Sequence, residues 1–150
     1  MNIELDKIEQ MAQGILTQFK KILADEKINA SSSLSKSADI AIELNGNKLV
    51  ISLLLEPYWR WVEYGRRPGK FPPPDAIKDW IKIKSVVPKP YNGKVPNTNQ
   101  LAFMIGRKIA MIGTEAKHPI QKTVWSKETD IILDNIREEI TNQLRQHLLQ

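Results

Sequence analysis

An active site needs a constellation, and this chain offers few parts for one. It has no cysteine, which removes disulfides, zinc–thiolate sites, iron–sulfur clusters and thiol catalysis together and suits a reducing compartment. His118 and His147 are the only histidines. Neither has an acid beside it at metal-ligand spacing, so both read as surface or interface side chains rather than zinc ligands. The seven glycines form neither a phosphate-binding loop nor a dinucleotide fingerprint. No Gly-x-Ser-x-Gly elbow is present. Glu63 sits among aromatic residues, where it could be a lone general acid. The stronger expectation is a pair with Arg60, Arg66 or Arg67, because a buried carboxylate without a partner is costly. No catalytic, cofactor-binding or metal-binding residue is assigned. A small hydrolase built on Glu63 or His118 is the weakest reading.

The densest chemistry lies between Tyr58 and Phe71, where Trp59, Arg60, Trp61, Tyr64, Arg66, Arg67 and Lys70 crowd into one stretch. Basic groups could track phosphates while rings stack on bases. Magnitudes favour another use. Burying one Trp removes about 150–250 Å² from water, on the order of 4–6 kcal/mol gross at about 25 cal/mol per Å², whereas an exposed charge pair contributes roughly 0–1 kcal/mol. Trp59, Trp61 and Trp80 are therefore expected in a core or a protein interface, with the arginines at its rim.

The elements that must hold this cluster can be read on either side of it. Ile8, Met11, Ile15, Phe19 and Ile22 line one stripe of a helix from about Ile3 to Asp25. The serines at 31, 32, 33, 35 and 37 predict a loop. Ile40, Ile42 and Leu44, then Leu49, Ile51, Leu53 and Leu55, alternate about Asn45-Gly46, which predicts a hairpin. Val50 and Leu54 suggest that its second strand is covered on both faces, as a central strand or one lying under a helix. After Gly65 the prolines at 68, 72, 73 and 74 require an extended loop. Asp75 could cap a short helix bearing Ile77, Trp80 and Ile81. Pro88, Pro90, Asn92-Gly93 and Pro96 mark a second, mobile loop. A helix after Asn99 carries Ala102, Ile105, Ile109 and Ile112 on one face and Arg107 and Lys108 on the other, and stops at Gly113. Ser126 could cap a last helix with Ile132, Ile136, Ile140 and Leu144 in one row.

With 150 residues, this is one α+β domain: a small antiparallel sheet built on a hairpin, packed by a long N-terminal helix, two short middle helices and a long C-terminal helix. Glu4 and Asp6 stand where a secretory signal would be basic, and the longest aliphatic run, Leu49 to Leu55, is far too short to span a bilayer. A soluble, non-exported protein without a membrane partner is expected. The net charge of +5 is uneven. Residues 60–94 hold 9 basic and 3 acidic side chains, while residues 1–59 hold 6 and 8. That surplus supports an alternative function, a sequence-nonspecific nucleic-acid-binding module using residues 60–94.

Several of these pieces occur together in a known order. Tyr58, Trp61-Val62-Glu63-Tyr64-Gly65 and Arg67-Pro68 are followed by Pro72-Pro73 with Ile77 and Trp80. Leu101-Ala102-Phe103 with Ile105, Arg107-Lys108-Ile109, Gly113-Thr114 and His118-Pro119 complete the series. The series resembles the tail-completion or neck (head–tail joining, minor tail component) proteins of tailed bacteriophages over about residues 1–120, with residues 121–150 as a C-terminal helical extension. The serine run before the hairpin is similar to that family's lead into its first strand, with Ser32 at the usual turn glycine; Arg66 and Gly106 depart from the usual Thr and Ala. The resemblance implies a non-enzymatic virion protein, without cofactor or metal, assembled in the host cytoplasm. It would form a homo-oligomeric ring of six or twelve subunits between portal-side and tail-side proteins, around the channel through which genome DNA passes. On that reading Tyr58, Trp59, Trp61, Glu63, Tyr64, Arg66 and Arg67, with Arg107 and Lys108, build the subunit or connector contact, and the 85–98 loop projects from the sheet.

Overall fold

A computed structural model describes residues 4–28 and 33–149. The expected helix start at Ile3 and the serines at 31 and 32 lie outside the described residues. Helix α1 (Leu5–Asp25) is followed by α2 (Ser33–Ser37), strands β1 (Asp39–Asn45) and β2 (Lys48–Leu54), then α3 (Trp59–Tyr64), α4 (Pro74–Ile83), α5 (Thr98–Ile112), α6 (Pro119–Val124) and α7 (Lys127–Leu148). The architecture is α+β with one two-stranded antiparallel sheet among the described residues.

The apolar stripe of α1 divides its burial between two neighbours. Its C-terminal half, through Leu16, Phe19 and Leu23, packs with Leu34, Ala38, Trp59, Val62 and Ile120. Its N-terminal half, through Ile8 and Ala12, packs with Ile40, Ile42 and Ile51 of the hairpin and with Ile132, Ile136 and Ile140 of α7. The long terminal helices thus lie together, and α7 covers the start of α1. Fully burying one side chain such as Phe19 or Ile8 contributes about 1.5–3 kcal/mol, so this double core dominates the fold. No helix among the described residues is long and apolar enough to cross a membrane.

Several expectations need correction. Ser33–Ser37 is a helical turn instead of a loop, because Leu34 anchors it in the core and its carbonyl accepts Ala38 N–H. The hairpin turn is Gly46-Asn47, one residue later than expected: Asn45 still pairs with Lys48, and the positive φ of 64° falls on Gly46, the first central residue. β2 is neither central nor covered on both faces. Leu49, Ile51 and Leu53 face the core, while Val50 and Leu54 lie on the solvent side, 37% and 49% exposed.

Asp75 does not cap α4; Pro73 and Pro74 set its first turn, and the Asp75 carboxylate instead accepts from Lys78 at 3.3 Å. α5 starts two residues earlier than expected, at Thr98, with Asn97 instead of Asn99 as its cap. Asn97 accepts from Gln100 N–H at 2.9 Å while Gln100 Oε1 accepts from Asn97 N–H at 3.0 Å, a reciprocal capping box. Ser126 does cap α7, accepting from Thr129 N–H at 3.2 Å.

α4 and α5 form an arm with a small cluster of their own: Ile77, Ile81 and Ala102, with Val86, Leu101 and Ile105 packed around them. α5 has fifteen residues against ten in α4, roughly 22 Å against 15 Å. Its last turn outruns its partner, which leaves Ile112 exposed although it shares the inward stripe. The segment 85–98 joins α4 to α5 and so belongs to this arm rather than projecting from the sheet. Within it Tyr91 and Lys94 pair across Asn92-Gly93, both at positive φ.

Candidate functional site

The aromatic cluster folds as the short helix α3, and its register sorts the side chains. Trp59 and Val62, three apart, turn toward the core. Trp61 and Tyr64, also three apart, turn outward and are 57% and 68% exposed. Glu63 is turned inward and buried.

Glu63 is not paired with an arginine. Its two carboxylate oxygens accept the backbone N–H groups of Ile120 at 2.8 Å and Gln121 at 3.1 Å. These are orphan donors in the first turn of α6, where the helix dipole also favours a negative group. Pro119 opens that helix and has no N–H to satisfy. His118 Nδ1 stands 3.9 Å from the same carboxylate, with its backbone in the left-handed region at φ 52°. The arginines go elsewhere. Arg60 lies over the Trp59 ring, and Arg66 lies over Trp61 while donating to the Lys70 carbonyl at 3.1 Å. Arg67 is exposed.

Around this contact the chain crosses itself. Arg66 and Thr114 pair antiparallel, Arg66 N–H donating to the Thr114 carbonyl at 3.1 Å and Thr114 N–H to the Arg66 carbonyl at 2.8 Å. Lys117 N–H donates to the Val62 carbonyl and His118 N–H to that of Glu63. The crossing requires glycine at two positions. Gly65 (φ 70°, ψ −177°) and Gly113 (φ 77°, ψ −162°) occupy a region that is essentially closed to other residues. A Cβ on Gly113 would meet the Arg66 carbonyl oxygen, and one on Gly65 would meet that of Thr114. Segments about fifty residues apart in the chain, Val62 to Arg66 and Gly113 to Pro119, are thereby locked into one joint.

The expected interface residues therefore separate. Trp61, Tyr64, Arg66 and Arg67 line one shallow surface together with Gly65, Pro68 and Lys70. Tyr58 is exposed beside them and Trp59 half-buried. Arg107 and Lys108 are exposed, but on α5 in the arm. Glu63 is internal and forms no part of an outer face. Among the described residues no group of three or more metal-ligating side chains assembles.

Other exposed apolar side chains lie on α5 and beside α6. Phe103, Met104 and Met111 stand on the outside of α5, and Trp125 is 78% exposed between α6 and α7. Those on α5 were legible, since helical spacing places Met104 and Met111 opposite the Ala102 stripe and makes the helix apolar on both faces. The strap from Arg66 to Pro73 runs against this helix. Gly69 N–H donates to the Ala110 carbonyl at 2.8 Å, and the Phe71 and Phe103 rings stack at 5.7 Å. A groove at the N-terminal end of α5 lies between Tyr91, Val95, Pro96, Asn99, Phe103 and Met104. Comparison with protein-family models, with curated proteins and with solved structures finds no match.

Proposed function

We propose that this chain is a structural subunit of a tailed-bacteriophage virion, forming a ring at the head–tail junction around the DNA channel. The observation that carries the proposal is the exposure of Trp61 and Tyr64, rimmed by Arg66 and Arg67, on a helix whose opposite side is locked into the core. Large exposed rings with arginines on a rigid support are what a protein interface uses as anchors. The chain crossing beneath them supports the same reading, because it gathers the Val-Glu-Tyr-Gly, Gly-Thr and His-Pro pieces of the resemblance into a single structural unit. The role asks for no catalytic group, and Glu63 holds α6 by its backbone.

The test replaces Arg66 and Arg67 with Ala in the virion, or in a reconstituted assembly with the connector and tail proteins. The expected result is full heads and separate tails, with the fold of the purified chain unchanged. Normal joining would remove those arginines from the contact. Native mass spectrometry showing only monomer, both alone and with the connector and tail proteins, would overturn the proposal. The basic surplus of residues 60–94 favours the nucleic-acid-binding alternative. A DNA affinity that falls steeply with added salt, from a chain that never assembles, would select it.

A further inference from the structure

We propose that two copies of this chain pair through β2, edge to edge and antiparallel, into one four-stranded sheet with a two-fold axis at Ser52. The hairpin ladder fixes which groups are free for this. Asn45 and Lys48 flank a two-residue turn, so they and the pairs Glu43–Val50 and Ala41–Ser52 exchange backbone hydrogen bonds. The N–H and C=O groups of Leu49, Ile51 and Leu53 then point away from β1. Among the described residues no backbone hydrogen bond joins β2 to anything but β1.

The opposite edge of the sheet is protected. The same alternation turns Ile40 N–H outward on β1, and there the Asp39 carboxylate accepts it at 2.8 Å. Asp39 and Glu43 also place charge along that strand, and charges of this kind are what keep edge strands from pairing. β2 carries no charge from Leu49 to Leu55, and its ladder with β1 runs from Leu54 to Lys48 without a bulge. Its core-facing Leu49, Ile51 and Leu53 are only half-buried, whereas Ile40 on β1 is buried.

The order of residues argues for the same strand of a second copy as the occupant. From Lys48 to Glu56 the sequence reads nearly alike in both directions about Ser52. Antiparallel pairing about that residue sets Ile51 opposite Leu53 and Leu49 opposite Leu55 on the core-facing side, each pair drawn from two copies. On the outer side Val50 meets Leu54, Ser52 meets Ser52, and Lys48 meets Glu56. The apolar side chains that stand 37% and 49% exposed on β2 thus cover each other, and opposite charges close both ends of the pairing. Such an isologous contact is complete in a dimer, whereas a ring closes through unlike faces, so this pair is separate from the ring contact.

The test follows self-association of the full chain by sedimentation and native mass spectrometry, with amide exchange read at each residue of β2. Val50 and Ser52 N–H should exchange slowly at every concentration, because β1 holds them. Those of Leu49, Ile51 and Leu53 should become slow only as the dimer forms. Val50→Lys with Leu54→Lys should weaken dimerisation at least about tenfold. Within one chain these positions pair with Glu43 and Asp39, so the substitutions favour the hairpin and unchanged thermal unfolding verifies the fold. A dimer that survives the substitutions, or one in which Leu49, Ile51 and Leu53 still exchange fast, overturns this pairing and leaves the ring reading standing. A chain that is monomeric alone but gains the protection with connector and tail proteins overturns self-pairing in favour of a strand from one of them. A chain monomeric under every condition, those proteins included, overturns both.

Discussion

The joint beneath α3 and the arm formed by α4 and α5 solve opposite problems with similar residue types. In the joint, polar groups are engaged: the buried Glu63 carboxylate by two backbone N–H groups, the backbones of Arg66 and Thr114 by each other, and the buried Thr123 hydroxyl by the Pro119 carbonyl at 2.8 Å. In the arm, apolar groups are exposed and few are engaged, with three buried side chains supporting twenty-five helical residues. The contrast teaches where to look for function. Glu63 and His118, the residues that look most like chemistry, are tied into the joint by hydrogen bonds, Glu63 through its carboxylate and His118 through its backbone N–H, while Trp61 and Tyr64 lie exposed outside it.

The largest effects should come from the two glycines of the joint. Gly113→Ala forces a Cβ against the Arg66 carbonyl at a backbone conformation other residues rarely adopt. A loss of roughly 3 kcal/mol or more in denaturant unfolding, or failure to fold, is expected. Gly65→Ala should behave alike. A variant of near-native stability would show that the crossing is a loose contact, no different in kind from the arm.

Glu63→Ala comes next. It leaves two amide donors of α6 without acceptors in a buried place, which costs about 1–3 kcal/mol for each group left unpaired. Glu63→Gln keeps one acceptor oxygen and should lose less. If the two variants lost equally, the negative charge rather than the acceptor geometry would be what holds the helix.

The split between what could and could not be read in advance follows from the range of the interactions. The stripe of α1, the row on α7 and the alternation of the hairpin are local periodicities, and the strands and helices they predict are present. Ser126 as a cap was legible for the same reason. α3 and α6 were not, because helices of six residues show less than two turns of any pattern. The partner of Glu63 was mistaken on a different ground. An arginine can be found by scanning side chains, but the donors it uses are main-chain N–H groups at 120 and 121 that exist only once α6 has formed. The exposure of Val50 and Leu54 was equally hidden, since a run of apolar residues does not say how many strands or helices come to cover it.

In the arm, Asn97→Ala removes one half of the capping box of α5 and should cost about 1 kcal/mol. Amide exchange measures the effect better than global unfolding does. With so small a cluster beneath it, the arm is expected to open locally before the α1–α7 core does. Faster exchange confined to residues 74–112 in the variant would sharpen the contrast between the two regions. An equal rise across α1 and α7 would show one cooperative unit and break it.

The smallest effect belongs to the other tether of α6. Its N-terminal end is held by buried Glu63, whereas Lys122, one turn further on, pairs with Glu26 at the end of α1 at 2.7 Å, in the open. The hydrogen bond from Lys122, and then its charge, hold the Glu26 carboxyl below its usual value of 4.5. Because the folded-state value is the lowered one, the stabilisation is fully present above the carboxylate's unfolded value and is lost as the pH falls through the folded one. Lys122→Ala should therefore be slightly less stable than the unmodified chain at neutral pH, with the difference fading in acid below about pH 4.5 and shrinking in high salt. The same salt series applied to Glu63→Ala should leave its stability gap in place, since that carboxylate is shielded from solvent. Equal salt sensitivity in both variants would mean that water reaches Glu63 as freely as Glu26, and the joint would then be no more a sealed unit than the arm.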